Sequence, residues 1–408
     1  MKPRLWNKNF TLLITATVLG AAGGIAGSFA LSFLVFDETQ STLSAALTVA
    51  VAAIPAFVIP LFAAPIMDRL PRKPFLVGGD FLNSVLYVLA GIYLLNFSFS
   101  YIGYLGFSVL LSSVSAFDEL AYNSIYPKLL AKGAEEKGYA VSGMLYPVVR
   151  VLMTPVAAVL LDTIGVGRIL IIQGGLSFAA AITESFISVE ESSRLDGGGY
   201  SLKTWCSDIR EAAEYLKNEK GLRSIYAYMA VTNGTASGYS PLLIAFFRTA
   251  AGFTAAMYSF FSTVEFIGRS IGGVFCYKVH IPKKRRFSFA FFVYMVYESM
   301  DACLLWLPYP LMLINRGICG FLGINSATMR HAAVQSYIPE SLRSRLNAFE
   351  SMLYFLSSAM LGLAVGALGE ILDYRVCLSF CAFSVLIFCL MTVWKNRSDV
   401  KKLYESVD

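Results

Sequence analysis

From Phe10 onward the chain is a succession of long apolar runs separated by short polar knots. The runs are continuous, not alternating, which fits helices and excludes a membrane barrel, whose strands alternate residue by residue. Twelve runs reach the roughly 20 residues a helix needs to cross the ~30 Å hydrocarbon core. Six are predicted near residues 10–36, 42–67, 75–96, 101–126, 139–163 and 166–188. Six more follow near 222–247, 252–278, 287–307, 309–334, 346–370 and 373–395. Backbone amides find no water inside lipid, so each run must close its own hydrogen bonds as a helix. The first run, Phe10 to Phe36, is too long for a signal-peptide core and reads as a span.

A polar stretch near 189–221 divides the runs six and six. Within it, Leu202, Trp205, Ile209, Ala212, Ala213 and Leu216 fall at helical spacing, which predicts an amphipathic helix on the membrane surface. "DGGGY" before it reads as a flexible hinge. "YAVSGMLY" (139–146) aligns with "NAFESMLY" (347–354), an offset close to half the chain. The expected organisation is a six-helix bundle at 1–188, a linker at 189–221, a second six-helix bundle at 222–395 and a tail at 396–408. That is an all-α membrane protein of two pseudo-symmetric halves, an architecture that places a substrate site near the midplane between them.

Charge sharpens the topology. Only 15% of residues are charged against 56% hydrophobic, below the quarter or so usual in soluble domains. Twenty-seven of the 33 Lys and Arg fall in the two tails and the connections on one side, three on the other, and Arg150, Arg269 and Arg316 within spans. This asymmetry predicts both termini in the cytoplasm. It also accounts for the net charge of +6 without nucleic acid. The seven Cys lie in the second half, mostly within apolar runs, and read as small core residues. With two His, a histidine metal site is not expected, nor is any cofactor.

The connection "APIMDRLPRKPF" (64–75) concentrates Asp68, Arg69, Arg72 and Lys73 between two spans. It resembles the G-x-x-x-D-R-x-x-G-R-K/R loop between spans two and three of the major facilitator superfamily, with Ala64 and Pro71 at the small positions. The resemblance extends over nearly the whole chain, with a decayed second copy at Gly273, Tyr277-Lys278 and "HIPKKRR". The fifth span, "SGMLYPVVRVLMTPVAAVLLDTIG", is similar to a stretch of exporters in that superfamily through Arg150 and Pro155. Thr154, Ala157 and Ala158 stand where glycines are usual. "IYPKLL" and "SYIPESLRSRLNAFES" resemble its macrolide- and siderophore-efflux branch. The resemblance implies that Asp68 contacts the start of span eleven near Ser344–Asn347 and latches an inner gate. As bare charges, Arg69, Arg72 and Lys73 serve equally as a positive-inside anchor. Asp68 adds nothing to anchoring, and an acid beside a helix N-terminus gains ~0.3–1 kcal/mol. The resemblance also puts spans one, four, seven and ten around the cavity. Tyr226, Asn233, Thr235 and Tyr239 of span seven are then cavity candidates, Asn233 either binding cargo or cross-bonding helices.

Ionisable side chains inside spans cost at least ~2.5–3.5 kcal/mol near the centre and are usually paired or functional. Depth at about 1.5 Å per residue puts Arg150 near the level of Asp118 and Glu119, one of which is expected to face it. Asp301 and Arg316 share a level in spans nine and ten. Glu265 and Arg269 stand four apart on span eight, and Glu298 has no obvious partner. Each pair either staples helices or opens as the cavity alternates, taking and releasing a proton. Asp118, Glu119 and Glu265 are the proton-coupling candidates, with Arg150 and Arg269 as their cations and Asp301–Arg316 as a secondary pair.

No phosphate-cradling G-x-x-x-x-G-K-S/T loop and no Ser/His/Asp set is present, so neither an ATP-driven pump nor an enzyme is expected. The expected activity is proton-coupled efflux of a lipophilic or amphipathic small molecule by a monomer in the bacterial inner membrane. An importer or lysolipid flippase on the same fold, or a receptor or scaffold without flux, are the alternatives.

Overall fold

The computed structural model describes residues 6–67, 71–130, 135–188, 202–278, 281–339 and 342–405. Among them there is no strand. The helices are α1 (Lys8–Thr39), α2 (Thr42–Met67), α3 (Lys73–Asn96), α4 (Tyr101–Leu129), α5 (Glu135–Ser185), α6 (Leu202–Asn218) and α7 (Lys220–Thr249). They continue as α8 (Ala255–Lys278), α9 (Lys283–Cys303), α10 (Tyr309–Tyr337), α11 (Arg343–Ile371), α12 (Tyr374–Cys389) and α13 (Arg397–Glu405).

Local chemistry sets the boundaries. The side chain of Asn7 accepts from Phe10 N at 2.8 Å and opens α1. Ser100 does the same for α4, and Asp373 for α12, each satisfying an amide that would otherwise have no partner. Two connections need glycine. Gly165, at φ 77° and ψ 169°, breaks α5 into two limbs; this is the expected junction between spans five and six. Gly252, at φ 82°, lies between α7 and α8. Side chains with a Cβ rarely adopt either conformation.

Among the described residues, eight helices are long and apolar enough on length and hydropathy alone to cross a membrane, the bent α5 counting as one. α7, α8 and α10 fall outside that set, although at 30, 24 and 29 residues they match the required length. Polar and charged positions lower their hydropathy: Thr232, Asn233 and Thr235 on α7, Glu265 and Arg269 on α8, Asn315 and Arg316 on α10.

The chain forms two compact units. The first comprises Met1–Gln40 with Val51–Gly199. In it α1 and α3 pack along α5, and α3 packs on α4. The contacts run through small residues: a Cβ added to Gly91 of α3 would lie 2.6 Å from the Gly167 carbonyl oxygen of α5. Such close backbone approach is how helices associate in lipid, where burial of apolar surface supplies no drive.

The second unit comprises Ser41–Ala50 with Tyr200–Asp408. Here α7 packs on α11, α8 on α10 and α9 on α12. The linker helix is present as α6, with Leu216 buried and Glu211 bonded to Arg345 of α11 at 2.6 Å. The expected tail is not free: α13 buries Val400, Leu403 and Tyr404, and the Tyr404 hydroxyl meets that of Tyr294 at 2.7 Å.

The first turn of α2 is capped within this unit by an acid from α11. Glu370 Oε1 accepts from Leu43 N at 2.9 Å and from Ser41 Oγ at 2.9 Å. The Thr42 hydroxyl is shared between that oxygen, at 3.0 Å, and Gly366 O, at 2.7 Å. A carboxylate at a helix N-terminus satisfies orphan amides and the helix dipole together. Glu370→Ala is expected to lower stability by ~0.5–2 kcal/mol, read as a lower midpoint of thermal unfolding of the purified protein.

Candidate functional site

In the first unit, acids of three helices gather. Asp80 stands on α3, Asp118 on α4 and Glu184 one residue before the end of α5. A Cβ on Gly79 would lie 3.2 Å from Asp118 Oδ1, so Asp118 rests against the α3 backbone beside Asp80. Asp80, Asp118 and Glu184 lie within electrostatic reach of one another. Glu184 is only 3% exposed. Its Oε2 and Asp118 Oδ1 are buried and without a hydrogen-bond partner among the described residues. The ammonium of Lys73, at the start of α3, donates to the Ser185 carbonyl at 2.7 Å.

Arg150 is not brought to Asp118 or Glu119. It lies on an exposed face of α5 and has no ion-pair partner among the described residues. Asp118 turns into α3, and Glu119, the next residue around the helix, is exposed. Depth along a helix fixes level but not azimuth, and azimuth decides this pairing. Of the charged connection, Asp68 and Arg69 lie outside the described residues, Arg72 sits at the N-cap position of α3, and Lys73 begins that helix.

In the second unit, Arg316 of α10 donates through Nη2 to Asp301 Oδ1 of α9, both side chains nearly enclosed. Asn315 fastens the same helices, donating to Met300 O at 2.8 Å. On α8, Arg269 places Nε at 3.0 Å and Nη2 at 2.8 Å from one oxygen of Glu265, on a partly exposed face. Tyr226, Thr235 and Tyr239 are buried, while Asn233 is half-buried. Of these four, Asn233 keeps the most exposed surface. Glu298, without an evident partner in the sequence, receives hydroxyls from Thr232 and Tyr228 of α7.

Asp80 and Glu184 are the site residues that sequence reasoning passes over. Both lie within about two turns of a span end, where an acid reads as interfacial. The available signal was an acid inside an apolar run with no cation three or four residues away. The first unit also holds an apolar cavity of about 410 Å³ between α1, α3 and α4, lined by Leu86, Tyr93, Tyr104 and Phe107 among others. Among the described residues no group of three His, Cys, Asp or Glu is arranged to hold a metal ion.

No protein-family model and no curated protein matches the chain. Solved structures do. The nucleoside transporter NupG superposes with a TM-score of 0.72 at 12% identity, over 95% of this chain and 99% of its own. A bacterial homologue of the iron transporter ferroportin, in an inward-facing state, gives 0.71 at 14% identity, over 97% and 98%. The chain has the major facilitator fold. A POT family transporter in complex with 5-aminolevulinic acid gives 0.71 at 10% identity, over 96% of each chain. The cargoes named for these proteins are chemically unlike, so the major facilitator fold sets the architecture and side chains must set the cargo.

Proposed function

We propose that the protein is a proton-coupled secondary transporter that exports a lipophilic or amphipathic small molecule by alternating access. The observation that carries this reading is the group Asp80, Asp118 and Glu184: three acids on membrane helices of a transporter fold, two of them with buried oxygens that no donor reaches among the described residues. Carboxylates crowded in a dry site cannot all be ionised. Protons are the simplest relief, and a change of access that wets the site would release them. Asp118 is assigned the central place, with Asp80 and Glu184 as partners. Glu119 and Glu265, which keep exposed surface, are the second choices.

The Lys and Arg asymmetry supports a bacterial inner-membrane protein with both termini in the cytoplasm. The half-buried Asn233 and the apolar cavity of the first unit support a cargo with more carbon surface than charge. Export is inferred from the resemblance of the fifth span, and a monomer is the working form.

The test is flux in proteoliposomes across a drug and siderophore panel under imposed pH gradients. Accumulation in everted vesicles driven by inward acid is the expected result. Asp118→Asn and Glu184→Gln are expected to abolish the response to the gradient while keeping downhill exchange. Glu119→Gln is expected to leave the response in place. Gradient-driven flux that survives in both Asp118→Asn and Glu184→Gln, or that follows sodium instead, would reject the reading.

A further inference from the structure

The second unit buries an acid that pairs with no cation among the described residues. Glu298 on α9 is 3% exposed. Its Oε1 accepts from Thr232 Oγ1 at 2.5 Å and from Tyr228 OH at 3.3 Å, both on α7. One turn along α9, Asp301 takes the guanidinium of Arg316. A second contact of that Nη2 goes to Asn315 Oδ1, at 3.2 Å. Two carboxyl groups and one guanidinium therefore share the region.

The titratable groups facing this region can be named helix by helix. α9 itself contributes Asp301, Tyr294 and Tyr297, α7 contributes Tyr228 and Tyr239, and α8 contributes Glu265 with its partner Arg269. α10 contributes Arg316, Cys319 and, beyond Tyr294, Arg330; α12 contributes Cys381 and Cys389, and α13 contributes Tyr404 through Tyr294. Phenols and thiols carry no charge at neutral pH in buried surroundings, and the cation in contact with a thiol, Arg316 at 4.0 Å from Cys319 Sγ, is taken by Asp301. A guanidinium stays protonated in proteins. Asp301 cancels Arg316, Glu265 cancels Arg269 and Glu350 faces Arg330, so an ionised Glu298 would add one uncompensated negative charge among membrane helices. Both of its hydrogen bonds fall on Oε1, which leaves Oε2 as the oxygen to be protonated.

We infer that Glu298 is a second proton-binding site, linked through Thr232 to the cargo-facing part of α7 at Asn233. Its part in transport rests on the proton-coupled reading above; the bound proton does not. The link is mechanical. A hydrogen bond to an ionised carboxylate is shorter and roughly twice as strong as one to a neutral group. Proton loss tightens Thr232 onto Glu298, and proton uptake slackens it. Asn233 is the next residue and moves with Thr232. Cargo at Asn233 and a proton on Glu298 would then bias the same turn of α7, one from each side.

The test is infrared spectroscopy of the full-length protein in nanodiscs at neutral pH, which needs no cargo. Glu298→Gln is expected to remove part of the carbonyl-stretch band of protonated carboxyl groups. Thr232→Val is expected to keep that intensity but shift it to higher frequency, because the carbonyl loses the shorter of its two donors. Both replacements are close in shape to the native side chains. An unchanged band in Glu298→Gln, or no shift in Thr232→Val, would overturn the inference. If the band behaves as expected while flux ignores every pH gradient, this site stands and the transport reading fails. Gradient-driven flux with no change in the band for Glu298→Gln fails this site alone.

Discussion

Asp301→Asn is expected to destabilise the protein by ~3–5 kcal/mol, the cost of stranding one member of a buried ion pair, and Arg316→Gln is expected to cost less. The asymmetry follows from proton chemistry. Arg316 cannot give up its proton, so removing Asp301 leaves a permanent cation whose side chain is 10% exposed. Asp301, stranded by Arg316→Gln, can take a proton and become neutral, which limits the penalty. The double variant Asp301→Asn/Arg316→Gln is expected to recover most of the loss, because neither charge then remains. Buried thiols supply the readout. Cys319, Cys377 and Cys389 are inaccessible in the folded unit, so a thiol-reactive dye reports their exposure on heating, above the baseline from exposed Cys303. The opposite order of the two single variants would contradict a dry site.

The fold was legible because the bilayer imposes one rule on every span: an apolar run that closes its own hydrogen bonds. The boundary expected between residues 163 and 166 falls at the bend at Gly165, and the helical spacing of Leu202 to Leu216 foretold α6. The Asp301–Arg316 contact follows from equal depth on two helices joined by a short connection. Depth failed for Arg150, because a helix turns ~100° per residue and nothing local in the sequence says that Asp118 faces Gly79. Glu298 was hidden for a different reason. Its partners are hydroxyls on α7, 66 and 70 residues away in sequence, and hydroxyl donors leave no charge pattern to read. The docking of α13 was hidden likewise, since Val400, Leu403 and Tyr404 sit among charged neighbours in what reads as a tail.

Glycines on α8 and α10 carry the other large effect, with opposite signs at neighbouring positions. Gly320→Ala is expected to destabilise by ~1–3 kcal/mol through overpacking, and Gly320→Val by more. Gly273→Ala is expected to stabilise by ~0.5–1 kcal/mol through lower backbone entropy of the unfolded chain. The two helices cross at backbone contact. A Cβ on Gly320 would lie 2.2 Å from Glu265 O and 3.1 Å from Arg269 N. One on Gly268 would lie 2.1 Å from Gly317 O, and one on Gly272 2.6 Å from Phe321 O. These obstacles are backbone atoms within helices, which cannot swing aside as a side chain can, so α8 and α10 must part. Gly273, on the same helix, has nothing within 4 Å of its added Cβ, and there the methyl group brings only helix propensity. Parting the helices would also displace the turn of α8 that holds Glu265 and Arg269 together. The same thiol-dye unfolding measurement separates the cases. Equal midpoints for Gly320→Ala and Gly273→Ala would mean that α8 and α10 do not touch through their backbones in the folded protein.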